Sequence, residues 1–334
     1  MKFDPRSHAA SSSDSASAGS NTNGASHLRG TPNGAYGRPQ GRSPWLDVDW
    51  RKHQRWIVLD GQPVNTIELG ADRSSSAPPL VFVHGLSGCW ANWLEQLPVL
   101  AGEHRVVAFD LPGFGYSPMP SAQITMSGYA RLLDRLLDEL QIDVATVVGN
   151  SMGGFIAAEL AITVPQRVER LVLISAAGIS TAAQAQPGRA RLVPALRRLE
   201  TVIAASSAWV ASKSDTVARR ARLRELTLNV VVRHPDRLPP ALAAEQLRGA
   251  GKPGFIQALQ ALLDYDIRDR LPEIACPTLI VWGASDRLIT VRDADVFAEL
   301  IPDSRKVVFE DTGHVAMLER PAAFNALLKD FLGE

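Results

Sequence analysis

Three residue types that can together run acyl transfer occur in this chain in the order Ser151, Asp286, His314. Ser151 sits in Gly149-Asn150-Ser151-Met152-Gly153, a G-x-S-x-G pentapeptide. A serine hydroxyl is a weak nucleophile until a neighbouring base removes its proton. Flanking glycines leave room for a sharp turn that strains the serine backbone and thrusts its hydroxyl outward. His314, in Asp311-Thr312-Gly313-His314, is the candidate base. Asp286, in Trp282-Gly283-Ala284-Ser285-Asp286, is the candidate carboxylate that orients the imidazole and stabilises the imidazolium. Singly, each has an ordinary alternative: Ser151 as an N-cap, Asp286 as a turn residue, His314 as a helix cap. Their joint occurrence in this order favours the chemical reading. The other histidines compete poorly. His8 and His27 lie in an N-terminal tail, His53 precedes the first strand, His104 sits in a polar loop, and His234 precedes Pro235. Cys89 and Cys276 are far apart and form no metal-ligand cluster, so no metal is expected and a disulfide scaffold is excluded.

Such residues need rigid elements to hold them. Val144–Val148 is a short apolar run ending at the pentapeptide, and a helix from about Met152 to Ile162 follows it, so Ser151 falls at a strand-to-helix turn. The helix N-terminus then offers N–H groups and the positive end of a dipole to developing negative charge. Asp286 and His314 follow the runs Thr278–Trp282 and Val307–Phe309, at the strand ends where ligands collect in open α/β sheets. Leu80–Val83, Val106–Phe109 and Leu171–Ile174 are further continuous apolar runs, which suit strands buried on both faces. Residues 55–59 and 64–69 form two strands around Asp60-Gly61. Helical spacing links Tyr129, Leu133, Leu136 and Leu140, and again Phe324, Leu327, Leu328 and Phe331 behind Pro321. The alternation predicts an α/β fold, a mainly parallel sheet with helices on both faces. It breaks between 179 and 265, where Leu192–Val210, Thr216–Arg233, Pro240–Leu247 and Gly254–Leu263 read as helices. The expected organisation is a tail at 1–44, a core at 45–178 and 266–334, and an inserted helical cap at 179–265.

Composition narrows the function classes. Of 334 residues 46% are apolar, ample for a sizeable core, and 35 Lys plus Arg against 35 Asp plus Glu exclude a globally basic nucleic-acid binder. No run approaches the ~18 consecutive apolar residues of a transmembrane helix. Residues 1–44 are rich in Ser, Gly, Asn and Ala, with Met1, Phe3, Leu28 and Tyr36 as their only large apolar side chains before Pro44. So little apolar surface cannot offset the entropy of ordering, and the tail is expected to be disordered and dispensable. It lacks the continuous apolar stretch of a secretory signal, so a cytoplasmic location is expected. Residues 185–253 carry thirteen basic residues against five acidic ones, most densely in Arg219-Arg220-Ala221-Arg222-Leu223-Arg224. This cluster reads either as the solvated faces of amphipathic helices or as a surface steering an anionic partner. That partner would be a carboxylate-bearing ester, an acidic carrier protein or an anionic membrane.

His84-Gly85-Leu86 follows the run Leu80–Val83, and the Leu86 and Met152 amides are the expected donors to a substrate oxyanion. His84 is expected to hold its loop rather than act as a second base. His84-Gly85, Asp110-Leu-Pro-Gly-Phe-Gly-Tyr-Ser117, Gly149–Gly154, the Asp286 loop and Gly313-His314 together resemble the α/β-hydrolase superfamily over roughly residues 55–334. The resemblance implies a Ser-His-Asp hydrolase with a helical cap between its sixth and seventh strands and no organic cofactor. It implies a small-molecule carboxylic ester as substrate, cleaved through an acyl-enzyme. Asn150–Gly154 is also similar to the elbow of carbon–carbon bond hydrolases acting on aromatic ring-cleavage products, which carry Trp after the catalytic His where this chain has Val315. The alternatives are therefore carbon–carbon cleavage of a vinylogous diketone, or a hydrolase-fold ligand receptor with slow turnover.

Overall fold

Each apolar run becomes a strand with a hydrophobic core on either side. The strands are β1 (Gln54–Leu59), β2 (Gln62–Gly70), β3 (Leu80–Val83), β4 (Arg105–Phe109), β5 (Ala145–Asn150), β6 (Val168–Ile174), β7 (Thr278–Gly283) and β8 (Ser304–Phe309). They form one sheet of order β1-β2-β4-β3-β5-β6-β7-β8 in the computed structural model, which describes residues 36–37, 42–70, 77–183 and 209–333. β1 pairs antiparallel with β2, and β2 with β4; every other neighbouring pair is parallel. The two-residue period of a strand divides its side chains between the cores. Val81, Val83, Val107 and Leu173 share one core with helices Met126–Glu139, Met152–Thr163 and Arg292–Leu300. Leu80, Phe82, Val106 and Ile174 share the other with helices Leu97–Leu100 and Pro321–Leu332. Strand β8, at the sheet edge, begins at Ser304, ahead of its apolar run. Ser304, Arg305 and Lys306 are only half-buried there, so no continuous apolar signal marks them.

Between β6 and β7 no described residue lies in a strand. Helices Ser180–Ala183, Ser214–Arg219, Ala221–Leu228, Pro240–Arg248 and Phe255–Leu263 occupy the span, while most of the expected helix Leu192–Val210 lies outside the described residues. The expected single helix Thr216–Arg233 is instead two, broken at Arg220 with φ −105° and ψ 110°. The side chain of Arg224 accounts for the break. Its buried guanidinium donates from Nε to the Pro235 carbonyl at 3.0 Å, from Nη2 to the Asp236 carbonyl at 2.8 Å, and from Nη1 to the Ala218 carbonyl. A buried charge must be satisfied. Arg224 meets that demand by gathering carbonyls at the end of one helix and in the turn after the next, the Pro235 carbonyl among them also accepting the Leu238 N–H at 3.3 Å. The insert sits on loops at the strand ends. Gln246 Nε2 donates to the Ala91 carbonyl at 3.1 Å, Gly254 N–H to that of Gly113 at 3.0 Å, and His314 N–H to that of Val231 at 2.8 Å.

The expectation for the tail needs correcting at its C-terminal end. Residues 1–35 and 38–41 lie outside the described residues, but Tyr36 is buried, and the Gly37 N–H donates to the Glu319 carbonyl at 2.8 Å. Ser43 Oγ and Trp45 Nε1 both donate to Glu95 Oε1, at 2.9 and 2.8 Å. Composition averaged over a window hides a single aromatic anchor, whose ring buries a large area and whose hydroxyl finds a partner. No described helix is long and apolar enough to cross a membrane.

Candidate active site

Strand β5 ends at Asn150 and a helix begins at Met152, leaving Ser151 alone in the turn with φ 56° and ψ −118°. Such a conformation costs a side-chain-bearing residue about 1–3 kcal/mol and persists only where its surroundings enforce it. Here they do. A Cβ on Gly149 would lie 2.3 Å from the Gly153 carbonyl oxygen, and one on Gly153 would lie 2.1 Å from the Val83 carbonyl oxygen. The bare backbones therefore press together and close the turn. The Ser151 N–H donates to the Ile174 carbonyl at 2.9 Å, and its own carbonyl accepts from the Phe155 and Ala177 amides, each at 3.1 Å. The Leu86 and Met152 amides donate to no other described residue. They remain open to a ligand, as the first N–H groups of a helix are.

The Leu86 loop is held from beneath. His84 Nδ1 donates to the Gly85 carbonyl at 2.8 Å, and Nε2 accepts the Leu111 N–H at 3.0 Å, an arrangement that assigns the neutral, Nδ1-protonated imidazole. Burial pushes its pKa down, in keeping with that neutral form. Both ring nitrogens are occupied by backbone groups, one from its own loop and one from the loop after β4, so His84 is structural. Buried Asp110 braces the same region. Its Oδ1 accepts the Trp90 N–H and its Oδ2 accepts the Tyr116 N–H and Asn65 Nδ2, all at 2.8 Å.

His314 Nδ1 lies 2.8 Å from Asp286 Oδ2, with the two side chains 4% and 0% exposed. Asp286 Oδ1 accepts the Leu288 and Ile289 amides at 2.9 and 3.0 Å. A carboxylate fixed by two amides is a rigid acceptor, so Nδ1 carries the ring proton and Nε2 keeps its lone pair. Asn150 Nδ2 donates to the Ile174 carbonyl at 3.1 Å and to the His314 carbonyl at 3.4 Å, tying the residue before Ser151 to His314. That tie runs to the His314 backbone; the Ser151 hydroxyl and the His314 ring share no hydrogen bond here, as is common for catalytic pairs without substrate.

Sequence reasoning missed two polar residues that build the site, Asn150 and Glu319. Glu319 is fully buried and accepts the Gly313 N–H at 3.0 Å and the Val315 N–H at 3.4 Å, on either side of His314. The signal was a lone acid closing the apolar stretch Val315–Leu318 just before Pro321.

Residues 78–321 match the family model of the alpha/beta hydrolase fold. The chain belongs to that family. This α/β hydrolase is 33% identical over 270 residues to the dihydrolipoyllysine-residue acetyltransferase component of the acetoin cleaving system of Cupriavidus necator, across 79% of this chain and 66% of that relative, just under two thirds of its length. It is 31% identical over 295 residues to the 2-hydroxymuconate semialdehyde hydrolase of Pseudomonas sp. strain CF600, across 84% of this chain and 94% of the relative. Among solved structures, the enol-lactonase of Burkholderia xenovorans LB400 aligns with a TM-score of 0.63 at 25% identity, over 84% of this chain and 100% of that one. The protein is accordingly an enzyme of the α/β-hydrolase fold.

Proposed function

We propose that this α/β hydrolase cleaves a small-molecule carboxylic ester through an acyl-enzyme formed on Ser151. The observation that carries the reading is a strained serine at a helix N-terminus, packed against the Gly85 backbone, with a buried His314–Asp286 pair tied to the same turn. Ser151 Oγ attacks the ester carbonyl while His314 Nε2 takes its proton. Asp286 keeps the ring oriented and stabilises the imidazolium. The Leu86 and Met152 amides receive the oxyanion, and losing one such donor costs about 3 kcal/mol at the transition state. The intermediate collapses, His314 returns the proton to the departing alcohol, and water repeats the path on the acyl-enzyme. The insert at 179–265 acts as a lid that selects the acyl and alcohol groups admitted.

A second reading, carbon–carbon bond hydrolysis of a vinylogous diketone, draws on the 31% identity to the semialdehyde hydrolase over 94% of its length. Val315, where such enzymes carry Trp, weighs toward the ester. One experiment separates the two. A fluorophosphonate probe is applied, followed by p-nitrophenyl esters graded by acyl length alongside a 2-hydroxy-6-oxo dienoate. Labelling of Ser151 with a higher kcat/KM for an ester supports the first reading. Labelling elsewhere overturns both, and faster dienoate turnover selects the second.

A further inference from the structure

Glu319 closes the short helix Ala316–Glu319, five residues after His314, and is fully buried. A carboxylate taken out of water needs a cation or several donors around it. Glu319 takes donors from three separate parts of the chain. Both its oxygens accept the Gly313 N–H at 3.0 Å, and Oε1 accepts the Val315 N–H at 3.4 Å. Oε2 accepts the Arg233 N–H from the lid at 2.9 Å, and the Tyr36 hydroxyl from the N-terminal arm. The Tyr36 oxygen in turn accepts the His234 N–H at 2.7 Å, so the arm bridges lid and carboxylate. The arm is seated for this. The Arg320 guanidinium lies 4.7 Å from the centre of the Tyr36 ring, the His234 ring meets its edge at 5.2 Å, and the Gly37 N–H donates to the Glu319 carbonyl at 2.8 Å. His314 is thereby fixed on every side by backbone: Gly313 and Val315 through Glu319, and its own N–H through Val231 of the lid.

We propose that Tyr36 and Glu319 are positioning residues for His314, and that the N-terminal arm is a latch holding the His314 backbone and lid residues 231–234 in one arrangement. The inference rests on His314 being the base for Ser151. The lever is geometric: displacing a catalytic group by about 1 Å can cost on the order of a hundredfold in rate. Removing the Tyr36 hydroxyl takes one of the donors from Glu319 and leaves the His234 amide without its acceptor.

The test uses the full chain as Tyr36→Phe, Glu319→Gln and Ser151→Ala, assayed well below each variant's Tm. Tyr36→Phe keeps the ring over Arg320 and against His234 and deletes only the two hydrogen bonds. It is expected to lower kcat and the rate of fluorophosphonate labelling by about tenfold, the effect of one buried hydrogen-bond network, with KM nearly unchanged. Glu319→Gln is expected to lose more, about a hundredfold, because its amide nitrogen cannot accept from the chain. A lower Tm for Tyr36→Phe with unchanged kcat and labelling rate overturns the latch and leaves Tyr36 as packing. If Glu319→Gln does not fold, Tyr36→Phe carries the test alone. If Ser151→Ala keeps its ester turnover, the reading of the site has failed, and amide hydrogen exchange still decides the latch. Faster exchange at Gly313, Val315 and Arg233 in Tyr36→Phe supports it, and unchanged exchange overturns it.

Discussion

The sheet body and the helical insert satisfy their charges differently. In the body, Asp110, Asp286 and Glu319 are buried carboxylates, each clasped by backbone amides of a strand-end loop. Every one of them fixes a loop that carries a candidate site residue. In the insert, Arg224 is the mirror case, a buried cation clasped by three carbonyls. Its neighbours Arg219, Arg220 and Arg222 are exposed and form no ion pair with a described residue, and Leu226 beside them is 74% exposed. The body thus spends its polar groups on rigidity, which pre-organised chemistry requires. The insert leaves cations and apolar side chains facing whatever arrives.

The sharpest way to break this contrast is at the body's reacting groups. If the proposed triad runs the reaction, Ser151→Ala, His314→Ala or Asp286→Asn should each lower kcat by about three orders of magnitude or more while leaving Tm within a few degrees, and combining them should add little, because triad members act as one unit. Steady-state ester kinetics beside thermal melts check both halves. Near-normal turnover by Ser151→Ala would remove the body's claim to the chemistry. Next in size is Gly153→Ala. Its methyl would meet the Val83 carbonyl oxygen at 2.1 Å, backbone against backbone, with nothing free to rotate away. A loss of about 3 kcal/mol or more is expected in denaturant melts. Gly102→Ala, with no atom within 4 Å of its added Cβ, is the control and should change stability by less than about 0.5 kcal/mol.

A smaller effect should appear in the insert. Arg224→Met deletes the cation and strands the Ala218 and Asp236 carbonyls, while the Pro235 carbonyl keeps the Leu238 N–H, which should cost about 2–3 kcal/mol, confined to the insert. KM should then rise more than kcat falls. Arg224→Lys should fall between the two, because an ammonium cannot reproduce the planar fork. Equal losses in kcat and KM for Arg224→Met would mean that the lid helps to hold the reacting groups themselves.

The same contrast sets how far the fold and site could be read from sequence. Strands buried on both faces must be apolar at every position, so Leu80–Val83 is outlined residue by residue. The elbow is legible because only glycine fits where Gly149 and Gly153 press on backbone. The insert is not, because its helix break at Arg220 depends on carbonyls of Pro235 and Asp236, partners that local periodicity does not see. Glu319 and Tyr36 were hidden for the same reason: they are 283 residues apart, and neither sits in a local pattern that predicts the other.

The exposed arginines offer the smallest effect and the finest test. Arg219 ends one helix, while Arg222 and Leu226 stand four residues apart on one face of the next. Exposed charges of this kind contribute little to stability, so reversing Arg219, Arg220 and Arg222 to Glu should leave Tm almost unchanged. Any influence on substrate would act at a distance, through the field around the insert. If that field draws an anionic substrate, the triple variant should lower kcat/KM several-fold for a carboxylate-bearing ester and not for its neutral methyl ester. The loss should shrink as salt is raised, because exposed charges are screened over about 10 Å at 0.1 M ionic strength. It should also lie in KM, since charges outside the chemistry change encounter and not the transition state. Equal losses on both esters, or a loss indifferent to salt, would make these arginines a solvated face.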